Sequence, residues 1–125
     1  MKNYSGLILI LAFILIGFGS CKKDTEITCN LNTADQAPVN MTISFSATQT
    51  GDGTISTLTY KTSAGEETIT NPSLPWTIDV AADEGTDISI TALGKVKDGS
   101  LTVSYSGESQ GNEVEGSDFC THLNK

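Results

Sequence analysis

Chemistry in this chain of 125 residues would have to come from three cysteines, one histidine and a scatter of carboxylates. The cysteines are Cys21, Cys29 and Cys120, and the histidine is His122, close to the C-terminal Lys125. Nucleophilic catalysis needs a base within hydrogen-bond reach of the nucleophile and a further group that orients the base. A lone histidine near the C-terminus, with no recognisable nucleophile setting around it, does not supply that arrangement. Glycoside hydrolysis needs two carboxylates at a fixed separation, and the pattern puts no such pair on rigid neighbouring positions. The chain therefore reads as a non-enzyme without a cofactor. Asp83, Glu84 and Asp87 can offer oxygen ligands to calcium, which takes six to eight. Their spacing is not that of an EF-hand loop, so surface solvation explains them better and no metal site is expected.

Phe18-Gly19-Ser20-Cys21 closes a short apolar run, from Leu7 to Phe18, with small residues followed by a thiol. Met1 and Lys2 put positive charge ahead of that run, which is the order of a secretory signal. Such signals hold about 7 to 15 apolar residues, whereas a membrane-spanning helix needs about 20, so the run is suited to being cut rather than to spanning. The closing residues resemble the lipobox of bacterial lipoproteins, in which the cysteine thiol is acylated and a peptidase cuts before it. The resemblance implies that residues 1–20 are a lipoprotein signal peptide and that Cys21 is the lipidation site. Each buried methylene of the acyl chains would contribute about 0.8 kcal/mol to membrane attachment. Lys22, Lys23, Asp24, Thr25 and Glu26 resemble the charged tails that follow the anchor in Bacteroidetes lipoproteins. They imply an extracytoplasmic, outer-membrane lipoprotein, displayed at the cell surface rather than facing the periplasm.

Cleavage before Cys21 leaves 105 residues, the size of one domain. Six lysines, Lys22, Lys23, Lys61, Lys95, Lys97 and Lys125, stand against fifteen acidic residues, and arginine is absent, so the mature chain carries a net charge of −9. Nucleic acid is not an expected partner, because phosphate backbones are bound through clustered Lys and Arg. With Cys21 acylated, Cys29 and Cys120 remain in an oxidising space, where they are expected to pair and tie the start of the domain to its end. The alternatives are free thiols or a metal site, and two cysteines with His122 fall short of the four ligands zinc usually takes. His122 itself reads as an exposed residue.

Residues 21–37 are polar and end in Ala34-Asp35-Gln36-Ala37-Pro38, which reads as a lipidated flexible tether ahead of a domain over residues 38–125. From Val39 on, Met41, Ile43, Phe45 and Ala47 alternate with Thr42, Ser44 and Ser46, the period of a strand with one buried face. Thr50-Gly51-Asp52-Gly53 is a turn, since glycine reaches positive φ freely and aspartate tolerates it. A second strand, Thr54 to Thr62, has Leu58 and Tyr60 on one face with Ile55 out of phase, which predicts a bulge. Glu67 to Thr70, with only Ile69 apolar, predicts an edge strand, and the prolines of Asn71-Pro72-Ser73-Leu74-Pro75 break any ladder. Trp76, Ile78 and Val80, then Ile88, Ile90 and Ala92, then Leu101, Val103 and Tyr105 complete three more alternating runs. Asp83-Glu84-Gly85 and Lys95 to Gly99 separate these runs. The stretch from Gly107 to Gly116 carries a weak signal, with Phe119, Cys120 and Leu123 bringing the chain back to the body.

Six to seven short antiparallel strands at this spacing predict an all-β fold, a small immunoglobulin-like β-sandwich, with a small β-barrel as the alternative. Two packed sheets bury the apolar faces that one sheet would leave wet. The order Ile43-Ser44-Phe45, Thr50-Gly51-Asp52-Gly53, Leu58-Thr59-Tyr60, Leu74-Pro75-Trp76, Ile88-Ser89-Ile90-Thr91-Ala92 and Leu101-Thr102-Val103 resembles the MmpS-type extracytoplasmic domain. That family is known from mycobacterial accessory proteins of lipid and siderophore exporters and has a small Ig-like sandwich with a Leu-Pro-Trp signature. The resemblance covers roughly residues 41–105 and implies a role beside an envelope transport component. Phe119-Cys120 resembles the family's C-terminal Phe-Cys, but the Cys-Arg pair expected between Leu101 and Tyr105 is absent, so a bridge to Cys29 would be a substitute. A lipobox also stands where the mycobacterial proteins keep a membrane helix.

Trp76 shares its phase with Ile78 and Val80 and so reads as a core residue rather than an exposed binding anchor. The candidate binding positions are instead in loops, at Asp52, Asp83, Glu84, Asp87 and Asp98, because loops on a rigid sandwich often carry recognition. The expected protein is a monomeric, lipid-anchored binding or accessory module with an envelope protein as partner. A structural surface lipoprotein without a dedicated ligand is the second reading.

Overall fold

The structure, a computed structural model, describes residues 25–123; the expected signal peptide 1–20, the expected lipidation site Cys21 and Lys22–Asp24 lie outside those residues. Eight strands make up the fold: β1 (Ile27–Gln36), β2 (Met41–Gly51), β3 (Thr54–Thr62), β4 (Gly65–Thr70), β5 (Trp76–Ala82), β6 (Asp87–Val96), β7 (Gly99–Ser109) and β8 (Asn112–His122). They form two four-stranded antiparallel sheets, ordered β1-β6-β3-β4 and β5-β2-β7-β8. The fold is thus the expected β-sandwich rather than a barrel. In an immunoglobulin sandwich strand B lies beside E, and C beside F and G. The pairings β1–β6 and β2–β7–β8 reproduce that arrangement, while the β3–β4 hairpin fills the other side of β6 and β5 the outer side of β2.

Alternation decides which residues reach the space between the sheets. Ile43, Phe45 and Ala47 of β2, Leu58 of β3, Ile88 and Ile90 of β6, and Leu101 and Val103 of β7 are fully buried, whereas the serines and threonines between them face outward. Fully burying side chains of this size stabilises the fold by about 1.5–3 kcal/mol each. The phase break at Ile55 is a bulge: the β3–β6 register shifts between Ile55 and Thr57. It returns both Ile55 and Leu58 to the core. β4 lies at a sheet edge, as its single apolar residue implies. Trp76, Ile78 and Val80 point inward but stay half-buried, because β5 is also an edge strand and nothing covers its flank among the described residues.

Two expectations are corrected. Most of the segment expected as a flexible tether, residues 21–37, is strand: β1 pairs with β6 without a break from Ile27↔Val96 to Gln36↔Asp87. The described domain therefore starts at Ile27 rather than near Val39, and Val39 lies in the connection before β2. The strand count is eight rather than six to seven, since β8 also runs the full length of β7, from Gly99↔His122 to Ser109↔Asn112. Both strands lie at sheet edges and turn mostly polar residues outward, so their pairing is set by distant partners rather than by an apolar pattern of their own.

The topology gives the sandwich two distinct ends. At one end lie the start of β1, the β2–β3 arch, the loop of residues 71–75, the β6–β7 arch and the end of β8. At the other lie the β1–β2 connection, the β3–β4 turn, the β5–β6 loop and the β7–β8 turn. The described chain thus begins and finishes at the same end, and strands of ten or eleven residues hold the opposite loops about 30 Å away.

Candidate functional site

The candidate loop carboxylates divide between these ends. Asp52 and Asp98 sit at the end where β1 starts, and Asp83, Glu84 and Asp87 sit at the far end, so they do not compose one site. Asp52 has a local task. Its Oδ1 accepts the backbone N–H groups of Lys97 and Asp98, each at 3.0 Å, and its own N–H donates to the Asp98 carbonyl at 3.4 Å. These bonds fasten the β2–β3 arch to the β6–β7 arch and, led by the N–H groups of Asp98 and Lys97, hold the Asp52 carboxyl below its ordinary value. Gly51 and Gly99 face each other at this junction, where a Cβ on either would run into the other's backbone; Gly51 also needs a φ of 67°. The His122 ring Nδ1 lies 2.9 Å from the Lys97 carbonyl, so His122 is half-buried against the arch rather than exposed as expected.

The far end is fastened through backbone groups. The Gly85 N–H donates to the Ala37 carbonyl at 2.7 Å, and the Ala37 N–H to the Thr86 carbonyl at 3.0 Å. The Glu84 N–H donates to Asn40 Oδ1 at 2.7 Å and the Asp83 N–H to Ser63 Oγ at 2.8 Å. Three connections are thereby joined into one surface, and none of these bonds uses the Asp83 or Glu84 carboxylate. Gln36 Nε2 donates to Asp87 Oδ1 at 3.3 Å across the β1–β6 register. Among the described residues no group of three or more potential ligands gathers as a metal site.

One flank of the sandwich is sealed and the other is open. Cys29 of β1 and Cys120 of β8 form a disulfide between the sheets, with a Cα–Cα separation of 6.1 Å, inside the usual range for such a bridge. Next to it, Asp118 Oδ2 accepts the Asn32 N–H at 2.9 Å, and Tyr105 Oη donates to Asp35 Oδ2 at 3.3 Å. Burial first, and then the Asp35 charge, push the Tyr105 hydroxyl above its ordinary value. Gly116 leaves the space that the Tyr105 hydroxyl and Thr33 Oγ1 occupy. Asp35, Tyr105, Gly116 and Asp118 carry no sequence pattern that marks them as a seam; the signal at Asp118, an acid two residues before Cys120, becomes legible only once β1 lies beside β8. On the open flank, Trp76 stacks at 5.5 Å from Tyr60, which lies 5.4 Å from Phe45, so Trp76 caps the core as an inward residue.

The outer face of β5-β2-β7-β8 is a grid of hydroxyls. Ser46 and Ser104 hydrogen-bond across strands at 2.8 Å, as do Thr50 and Ser100, and Ser44 donates to Asp79 at 2.7 Å. Towards the far end this face becomes an acidic groove of about 370 Å³ lined by Thr42, Ser44, Glu108, Glu113 and Glu115. Such a surface can accept hydrogen bonds and attract cationic groups. Comparison with protein-family models, with curated proteins and with solved structures finds no match to this chain. The fold and the arrangement of its ends define it as a disulfide-stapled, acidic β-sandwich domain.

Proposed function

We propose that the protein is a lipid-anchored binding or accessory module of the cell envelope, held through Cys21 at the outer membrane and displayed at the surface. The observation that carries this reading is the common end at which the described chain begins and finishes, which leaves the fastened far-end loops and the Glu108–Glu113–Glu115 groove facing away from an anchor at Cys21. The Cys29–Cys120 bridge agrees with an oxidising, extracytoplasmic compartment. A partner suited to the groove is an envelope protein with a basic surface, and the MmpS-type resemblance favours a component of transport or export. In crosslinked cells, pull-down of the mature protein is expected to recover one stoichiometric envelope protein, and Glu113→Gln with Glu115→Gln to weaken that recovery. Recovery of no partner with several crosslinkers would favour the second reading, a structural surface lipoprotein. The observation behind that second reading is the pairing of hydroxyls with one another on the outer faces, including Thr59 with Thr68 at 3.0 Å, which leaves them few bonds to offer.

A further inference from the structure

Exposed large apolar side chains are few among the described residues: Leu93, Phe119 and Leu123. All three lie in the half of the sandwich where the described chain begins. Phe119 and Leu123 are 65% and 59% exposed, and with Thr121 they form one outward-facing row along the last turns of β8 and just beyond it. Lys97 lies in the β6–β7 arch, where its carbonyl meets the His122 ring at the end of β8, and Lys95 lies at the same end of β6, on the outer face of the other sheet. Asp52, also at this end, turns its carboxylate onto backbone N–H groups. The opposite half carries Asp83, Glu84, Asp87, Glu108, Glu113 and Glu115. An anionic membrane surface repels that half more strongly than the first, where, among the described residues, Lys95 and Lys97 stand against only Glu26, Asp52, Asp98 and Asp118.

The reach of the chain selects the occupant of the apolar row. Ile27 follows Cys21 by six residues, and six residues span at most about 20 Å even when fully extended. An acylated Cys21 would therefore keep the start of β1, and the end of β8 beside it, within that distance of the bilayer. We propose that this end of the sandwich rests on the lipid surface, with Phe119 and Leu123 entering the headgroup region, so that the domain stands in one orientation with its more acidic end outward. The proposal rests on the lipid-anchor reading. Exposed apolar side chains at the end of a tethered domain suit the interfacial zone, where amphipathic elements bury roughly 5–10 Å deep.

The test supplies the anchor chemically, so it can fail independently of acylation in the cell. The mature chain beginning at Cys21, with its disulfide intact and Trp76→Phe, is coupled through the Cys21 thiol to a maleimide lipid. The vesicles are phosphatidylcholine with a quarter phosphatidylglycerol, and some carry brominated acyl chains. Phe119→Trp is expected to lose about half of its emission to the brominated lipid, as a side chain at interfacial depth would. Glu113→Trp, about 20 Å further along the strand, is expected to be unaffected, and Leu123→Ser added to Phe119→Trp to relieve the quenching. Equal emission from both tryptophans with and without bromine would overturn the proposal, because the domain would then stand clear of the bilayer. Quenching of both would overturn it as well, because the domain would then lie flat. Both reporter positions are exposed, and circular dichroism of each variant verifies the fold.

Discussion

Replacing Cys29 and Cys120 together by alanine removes the covalent tie between the sheets. The bridge spans 91 residues of sequence, and in the chain-entropy description a closed loop of that length restrains the unfolded chain by about 4.6 kcal/mol at 25 °C. Cys29 is 2% exposed, so its truncation adds a cavity cost on the order of 0.5 kcal/mol. The bond from the Asn32 N–H to Asp118 survives the change and keeps β1 near β8. A domain of this size is stable by about 5–15 kcal/mol, so losing about 4–5 kcal/mol removes roughly a quarter or more of the total. The melting temperature is expected to fall by roughly 20–30 °C. Urea unfolding followed by Trp76 fluorescence measures the difference, alongside thiol titration of mature protein lacking Cys21, which is expected to find no reactive thiol before reduction. A loss below about 1 kcal/mol, or titratable thiols in the unreduced protein, would refute the bridge as the main staple of the sandwich.

The other structural expectations concern the core and the arches. Leu58→Ala, at a fully buried position facing the second sheet, is expected to cost about 2–5 kcal/mol in urea unfolding; a cost near zero would mean that the sheets do not pack as described. Gly99→Ala is expected to lower the melting temperature clearly, because its Cβ meets the backbone of Thr50 and Gly51, whereas Ser63→Ala on the far side loses a single loop hydrogen bond and is expected to cost less. Equal effects would contradict the close approach of the two arches. Asp52 has a folded pKa below its ordinary value, so its contribution is full above about pH 4 and is lost as pH falls through the lowered value. Asp52→Asn is expected to lower the melting temperature at neutral pH and to flatten its decline below about pH 4; an unchanged acid limb would count against Asp52 as the fastener of the two arches.

Much of this architecture is legible in the sequence wherever apolar residues alternate. β2, β6 and β7 declare themselves through Ile43 and Phe45, Ile88 and Ile90, and Leu101 and Val103, and the bulge near Ser56 follows from the phase of Ile55 alone. β1 is hidden because its inward positions after Cys29 and Leu31 are Thr33 and Asp35, which meet Tyr105 at the seam instead of filling an apolar core. β8 is hidden for the same reason, with Gly116 and Asp118 facing inward to make room for Tyr105 and to bind the edge of β1. The loops carrying Asp52, Asp83, Glu84 and Asp98 can be placed in the sequence, but not their grouping, and Asp87, expected in a loop, opens strand β6 opposite Gln36. Which loops share an end depends on which strands pair, and those pairings join residues tens of positions apart. The disulfide is legible from cysteine arithmetic and compartment, whereas the hydrogen bonds that flank it depend on side chains with no pattern of their own.

The proposed anchor depends on Cys21, and mass spectrometry of the protein extracted from cell membranes tests it most directly. The expected result is a mature chain whose first residue is an acylated Cys21, with Cys21→Ala accumulating as unlabelled precursor. A membrane-extracted chain that keeps residues 1–20, or a Cys21 whose thiol is free, would contradict the lipid anchor and the outward-facing sandwich built upon it.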